Sequence, residues 1–521
     1  MQRLLIQALS TLAIGLVVLT LACDPFHGES KAPARPLVSA LRDKPAAGLH
    51  YAKSPWPTIH RDSRNSDYAP IGVSPNVQVN WTALEGAALL VGPIIGSNGQ
   101  LYITSGRGRG HSHLHAFNRE GEALWETKPM ETLADFDHTA IVSAPIVDTE
   151  NHIFAADSNQ LWSFTSQGDV RWTVHLPDYG IKGFFVTPIF NHQGKVGGVS
   201  TDGKVAFFER ETGELAYPIL NLPSRPGPAS QPPPPGLWEG GLVAPEFIRP
   251  LWDLTYGRGL KVSNTPAVHP ETGRIFVTAG GQNANQGVLY GLDPHDRGVD
   301  IAFQTSMGQG SGASPAISPD GNRVYAVDDD GKMTAMDTLT GEPIWEIENT
   351  MGQASPSIGP DGTIYSFAGL AGTIVAVDGV TGQIKWKRQY NHLARSHLTW
   401  IPFLDRITTV DGLITVTDSG LFAFFDLNYE LRGGDQPYPQ PRQVRVGQID
   451  SETGKILASF SSPDTSSAFL VPDLDGRSYL SLSGAASSIA YYGVNPKLPR
   501  FLRVKDKPVA GLVALRTRDG S

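Results

Sequence analysis

The chain reads as an all-β protein, an eight-bladed β-propeller closed by an N-terminal strand and carrying Pro-rich loop insertions. Three observations predict it. The first is repetition. Residues 314–345 (S-P-A-I-S-P-D-G-N-R-V-Y…A-M-D-T-L-T-G-E-P-I-W) and 355–386 (S-P-S-I-G-P-D-G-T-I-Y…A-V-D-G-V-T-G-Q-I-K-W) share one pattern, and Pro315/Pro356, Asp337/Asp378, Gly341/Gly382 and Trp345/Trp386 are each 41 residues apart. A period near 40 residues with several strands per unit and no helical pattern marks a propeller. The second is composition: 56 Gly and 40 Pro in 521 residues suit many short strands joined by tight turns. The third is complementary ends. Residues 511–515 finish as a third strand without a fourth, whereas residues 77–81 (V-Q-V-N-W) have the alternation and terminal Trp of the missing one. Pairing them removes an open sheet edge.

The blades follow in order. Prolines at 93, 145, 188, 266, 315, 356, 402 and 472 open eight units, and Trp125, Trp172, Tyr217, Phe303, Trp345, Trp386 and Phe460 close seven of them. Asn98-Gly99, Asp320-Gly321 and Asp361-Gly362 supply the positive φ of hairpin turns. Because the tryptophans recur in phase, their expected role is to wedge between blades, each burying roughly 150–250 Å². Two intervals are too long and predict insertions, a Pro-rich one at 218–263 and a second loop at 429–447. The propeller itself is assigned to 55–516.

The beginning of the chain reads differently. After Arg3, residues 4–22 carry no charge, and the run ends at Cys23, the sole cysteine. Residues 1–22 are read as a lipoprotein signal peptide with Cys23 as the lipidated residue, in preference to a spanning anchor. Asp24 hints at inner-membrane retention, and residues 23–54 are expected to be a flexible tether. With 18% charged residues and a net charge of −9, the chain lacks a nucleic-acid footprint. A monomeric propeller, held at a membrane by its lipid, is the expectation.

Trp56-Pro57, Arg61-Asp62 and Tyr68-x-Pro70, together with the A-x-D…T-G-x-x-x-W units, resemble the quinoprotein-like, pyrroloquinoline-quinone-repeat propellers over roughly residues 56–516. In that family the resemblance is nearer to the non-catalytic propeller lipoprotein of the outer-membrane β-barrel assembly machinery than to the quinone-dependent dehydrogenases. It implies a non-catalytic scaffold of the bacterial cell envelope, facing periplasm or exterior, that binds envelope proteins. The dehydrogenases hold the quinone with Ca²⁺ and characteristically cap it with adjacent cysteines, which this chain does not have. A periplasmic quinone- and Ca²⁺-dependent oxidoreductase is therefore the first alternative, and a polysaccharide-binding or cleaving propeller the second. No cofactor and no catalytic residue is assigned.

Few residues stand outside the repeat. His111, His113 and His115 alternate, so in a strand they would share a face and could bind a metal ion, although exposed turn histidines are the preferred reading. Asp328-Asp-Asp-Gly331 reads as a hairpin tip. Trp238, Phe247, Trp252 and Tyr256 crowd the first insertion as partner-binding anchors or as a lid folded onto the propeller.

Overall fold

The computed structural model describes residues 50–518 other than 228–231, 256–258, 284–285, 311, 349–353, 369–371, 391–403, 432–437, 465–468, 498–499, 501–502 and 504. The segments expected to be a signal peptide and a tether, as far as residue 49 and with Cys23 and Asp24, lie outside the described residues, as does Tyr256.

Eight sheets form the ring, seven of them four-stranded and antiparallel, whereas blade 7 gains a short parallel strand, Tyr68–Ala69, on the inner edge of Leu404–Thr417. In blades 1 to 7 the chain runs from the innermost strand outward, as in blade 1 (Ile94–Ile95, Leu101–Thr104, Leu114–Phe117, Ala123–Glu126) and blade 6 (Ser357–Ile358, Thr363–Phe367, Thr373–Asp378, Ile384–Gln389). Blade 8 is composite. Leu470–Pro472, Arg477–Leu482 and Gly511–Thr517 supply three strands, and Val77–Ala83 the outermost. The closing register pairs Val79 with Leu515 and Trp81 with Ala514. The ring is thus shut by the strand expected to shut it.

A repeated seam joins neighbouring blades. In six outer strands one extra residue interrupts the register immediately before the aromatic: Trp81, Trp125, Trp172, Phe303, Trp345 and Trp386. The bulge aims the ring across the gap, where it lies on the glycine of the next blade's turn. A Cβ built on Gly121, Gly168, Gly213, Gly382 or Gly454 would fall 2.6–2.9 Å from the indole of Trp81, Trp125, Trp172, Trp345 or Trp386, respectively. Each of these five indole N–H groups also donates to a carbonyl of that next blade, from Trp81 to Arg119 (2.9 Å) around to Trp386 to Ser451 (2.9 Å). The Asp of A-x-D shapes the turn that presents the glycine. Asp378 Oδ1 accepts from the amides of Val380 and Thr381, and the Gly382 amide donates to the Asp378 carbonyl.

Four boundaries differ from expectation. Tyr51, Ala52 and Ser54 are buried, so the tether gives way to the propeller before residue 55. Leu220–Asn221 is the outer strand of blade 3, so the first insertion starts beyond it. The second insertion is not a loop, because Gly420–Leu431 and Tyr438–Ile449 continue as a lengthened strand pair of blade 7. In that blade Ala458 takes the place after the extra residue, and Phe460 lies two residues beyond, packed half-buried towards blade 8. Among the described residues no helix is long and apolar enough to cross a membrane.

Gly382→Ala is expected to cost about 2–4 kcal/mol by chemical denaturation, since it combines strain at φ +73° with overpacking against Trp345. Gly362→Ala has a similar φ of +81° but nothing within 4 Å, and should cost only about 1–2 kcal/mol. Equal losses would remove the packing part of this account.

Candidate functional site

Apart from blade 7, where Tyr68–Ala69 pairs in parallel with Leu404–Thr417, the inner strands have no named strand on their axial side, and their inward amides need acceptors. Residues 50–71 provide them. The carbonyls of Trp56, Pro57, Ser63, Arg64, Ser66 and Asp67 accept from Ile95, Val147, Val268, Ile317, Ile358 and Val416 in blades 1, 2, 4, 5, 6 and 7, at 2.6–3.2 Å. In blade 3 the Tyr51 hydroxyl accepts from Phe190 (3.4 Å). The segment therefore plugs the axis at the end where each inner strand turns back.

Its side chains hold that path. Asp62, fully buried, accepts from Ser66 (2.7 Å), Arg61 (3.2 Å) and Arg64 (3.4 Å). Burial pushes its carboxyl up, but Arg64, Arg61 and Ser66 together outweigh that and leave it below the ordinary range. His60 bridges Asp67 (2.8 Å) and the Ser314 hydroxyl (3.1 Å), while Asn65 donates to the carbonyls of Thr265 and Pro315. Asp67 goes the other way. Burial outweighs its bonds to His60 and Ser357, and its carboxyl is pushed up to about 6.

The opposite end of the inner strands, where the blades are linked, carries a lid. Leu237, Trp238, Leu242, Val243, Ala244, Phe247, Leu251 and Leu254 of the first insertion form one buried cluster with Ala88, Ile141, Val142 and Ala510. Backbone bonds fasten it: Ala244 to Gly106 (2.9 Å) and Ala88 to Leu242 (3.0 Å). The Trp238 amide donates to the Ser488 hydroxyl (2.9 Å). Trp238 and Phe247 are thus turned inward and not displayed to a partner, and Trp252 is half-buried against the same cluster.

Beneath Phe247 lies a histidine pair that only half matches the expected triplet. His111 is exposed, whereas His113 and His115 are buried and are not turn histidines on the surface. His115 is tied to Glu126 (3.1 Å) and to the Ser105 hydroxyl (3.0 Å). His113 Nδ1 bonds the Ser105 carbonyl (3.1 Å), while its Nε2 is buried without a partner. Burial lowers the His113 pKa to about 4. Its neighbour is His138, from the short helix His138–Val142, with ring centres 6.2 Å apart, and Phe247 covers His138 at 5.3 Å. The pairing was invisible in the sequence because His138 comes from the next blade's linker.

Asp137 caps that helix, and its amide donates to Asp157 (3.2 Å) in the blade 2 hairpin. Burial first, and the charge of Asp137 second, push the Asp157 carboxyl up to about 8. Among the described residues no group of three or more His, Cys, Asp or Glu could hold a metal ion. The five repeat tryptophans are spent at the seams, and the lid offers mostly aliphatic side chains.

Comparison with known proteins agrees with the fold. A family model described as outer membrane protein assembly factor BamB matches residues 110–246 and 237–408. Protein Rv3035 of Mycobacterium tuberculosis (strain ATCC 25618 / H37Rv) is 22% identical over 293 residues, which is 56% of this chain, and the chain spans 64% of that relative's length. The quinohemoprotein alcohol dehydrogenase ADHIIG from Pseudomonas putida HK5 superposes with a TM-score of 0.56 at 15% identity, over 89% of this chain and 80% of that one. A europium-containing methanol dehydrogenase gives 0.55 at 12% identity, over 89% and 98%. At these identities the likeness to the two dehydrogenases is one of fold.

Protonating His113 within its buried site is unfavourable, so its contribution to stability is present above about pH 6.5 and is lost as pH falls through about 4. Relative to His113→Gln, the wild type should lose about 3 kcal/mol between pH 7 and pH 4 in urea titrations. Parallel pH profiles would show that His113 does not titrate in this way.

Proposed function

Because the chain belongs to the family whose model is described as outer membrane protein assembly factor BamB, we propose that it works at the cell envelope as a non-catalytic, lipid-anchored scaffold for protein partners. What supports the non-catalytic part is the treatment of the channel. A buried segment of the chain's own plugs one end, and an apolar lid covers the linker end of blades 8, 1 and 2. Binding is left to the outer surface of the lid and to the rim, where Leu339 and Val380 stand exposed on the turns of adjacent blades 5 and 6. Anchoring rests on the apolar run that ends at Cys23.

Two measurements test this. Full-length protein titrated with pyrroloquinoline quinone and Ca²⁺ should show no saturable change in absorbance or melting temperature, and a saturable change would favour the oxidoreductase. In cells, a photo-crosslinker at Leu339, Val380 or the exposed lid residue Glu246 should capture defined protein adducts, and Cys23→Ser should abolish labelling by a fatty-acid analogue. Absence of adducts at all three positions would discard these surfaces as the scaffold's docking sites.

A further inference from the structure

The strand pair Arg477–Leu482 and Gly511–Thr517 of blade 8 is joined by a long insertion, residues 483–510, beside the lid. It packs inward through Ala485, Ile489 and Ala510, and Gly236 and Gly240 of the lid lie against Gly493 and Tyr492. Its outer part is unlike the rest of the molecule. In a chain of net charge −9, Lys497, Arg500, Arg503, Lys505 and Lys507 fall within eleven residues, all of them exposed, against a single acidic residue, Asp506. Tyr491 and Tyr492, half-buried and edge-to-face at 4.9 Å, stand at the start of this cationic stretch.

We infer that this insertion seats the propeller, lid end first, on an anionic lipid headgroup surface. The occupant follows from the charge: five exposed cations spread over eleven residues make a positive field of the kind that an anionic headgroup surface attracts. Tyr492 turns its hydroxyl onto Gly240 of the lid, which leaves half-buried Tyr491 beside this field as the aromatic suited to the headgroup level of a bilayer. The inference rests on the envelope reading only for the presence of a membrane, and it adds an orientation to it.

Vesicle co-sedimentation of the full chain tests it. Binding to phosphatidylcholine vesicles containing phosphatidylglycerol should be at least about tenfold tighter than to phosphatidylcholine alone at 0.1 M salt, and the ratio should collapse at 1 M. Arg3, Lys31, Arg35, Arg42 and Lys44 near the N-terminus also favour anionic vesicles, so the insertion is isolated by variants that leave those residues in place. Lys505→Glu/Lys507→Glu and, separately, Lys497→Gln/Arg500→Gln should each bring the ratio down several-fold with unchanged melting temperature. Lys387→Glu, on the blade 6 rim, should leave it alone. Equal binding to both vesicles in the wild type would overturn the inference, as would an undiminished ratio in both insertion variants. Salt-sensitive capture of polyglutamate without any preference for anionic vesicles would also overturn it, and would assign the patch to an acidic protein.

Discussion

Eight inner strands aimed at one axis create eight edges whose amides cannot all reach water, and each buried amide left without a partner costs about 1–3 kcal/mol. The plug answers this constraint. Residues 50–71 must place one acceptor after another in front of seven blades, which forces a path that no regular element could follow. Arg61, Asn65 and Asp67 accordingly take left-handed backbone angles of 71°, 57° and 56°. The buried charges of this segment are best understood as positioning groups, because a buried ion pair seldom repays the cost of removing it from water. Asp62, gripping Ser66, Arg61 and Arg64, fixes the bends that aim the carbonyls.

The second constraint lies at the outer rim. A wheel of sheets exposes an edge on every outermost strand, and flat edges recruit other strands. The extra residue before each seam aromatic twists that edge and at the same time swings the indole onto the neighbouring glycine, so one local irregularity serves both ends. Its by-product is visible on the surface. Leu124 and Ile344, the extra residues themselves in blades 1 and 5, point outward and stand exposed.

Periodic features were legible in the sequence and aperiodic ones were not. Pro315, Asp337, Gly341 and Trp345 recur because every blade meets the same mechanical demands, so the fold, the number of blades and a closing strand at 77–81, which runs on to Ala83, could be read directly. The plug could not, since His60 and Asn65 converge on Ser314 and Pro315 at the entry to blade 5 while Asp67 meets Ser357 of blade 6, an uneven set of contacts that leaves no repeat to detect. Blade 7 misled for a related reason: Phe460 looks like a closer, but the register places Ala458 there. His113 and His138 come together only through the packing of two blades under Phe247. Their burial, and that of Trp238, depends on how the insertion lands, which local pattern does not encode. The cations of the blade 8 insertion were plain in the sequence but diluted by a net acidic total.

Ring closure has a consequence for biogenesis. The Arg518 guanidinium bonds the Val77 carbonyl across 441 residues of chain, next to the strand pairing that completes blade 8. During synthesis Val77–Ala83 therefore emerges before every other strand of blades 1 and 8 and is the last to find its neighbour, and the plug also waits for the blades it must satisfy. Contacts so distant in sequence assemble slowly and leave edges open meanwhile. Shortening the C-terminus by a few residues would strand both ends at once, so the nascent chain depends on whatever shields Val77–Ala83 until Gly511–Thr517 arrives.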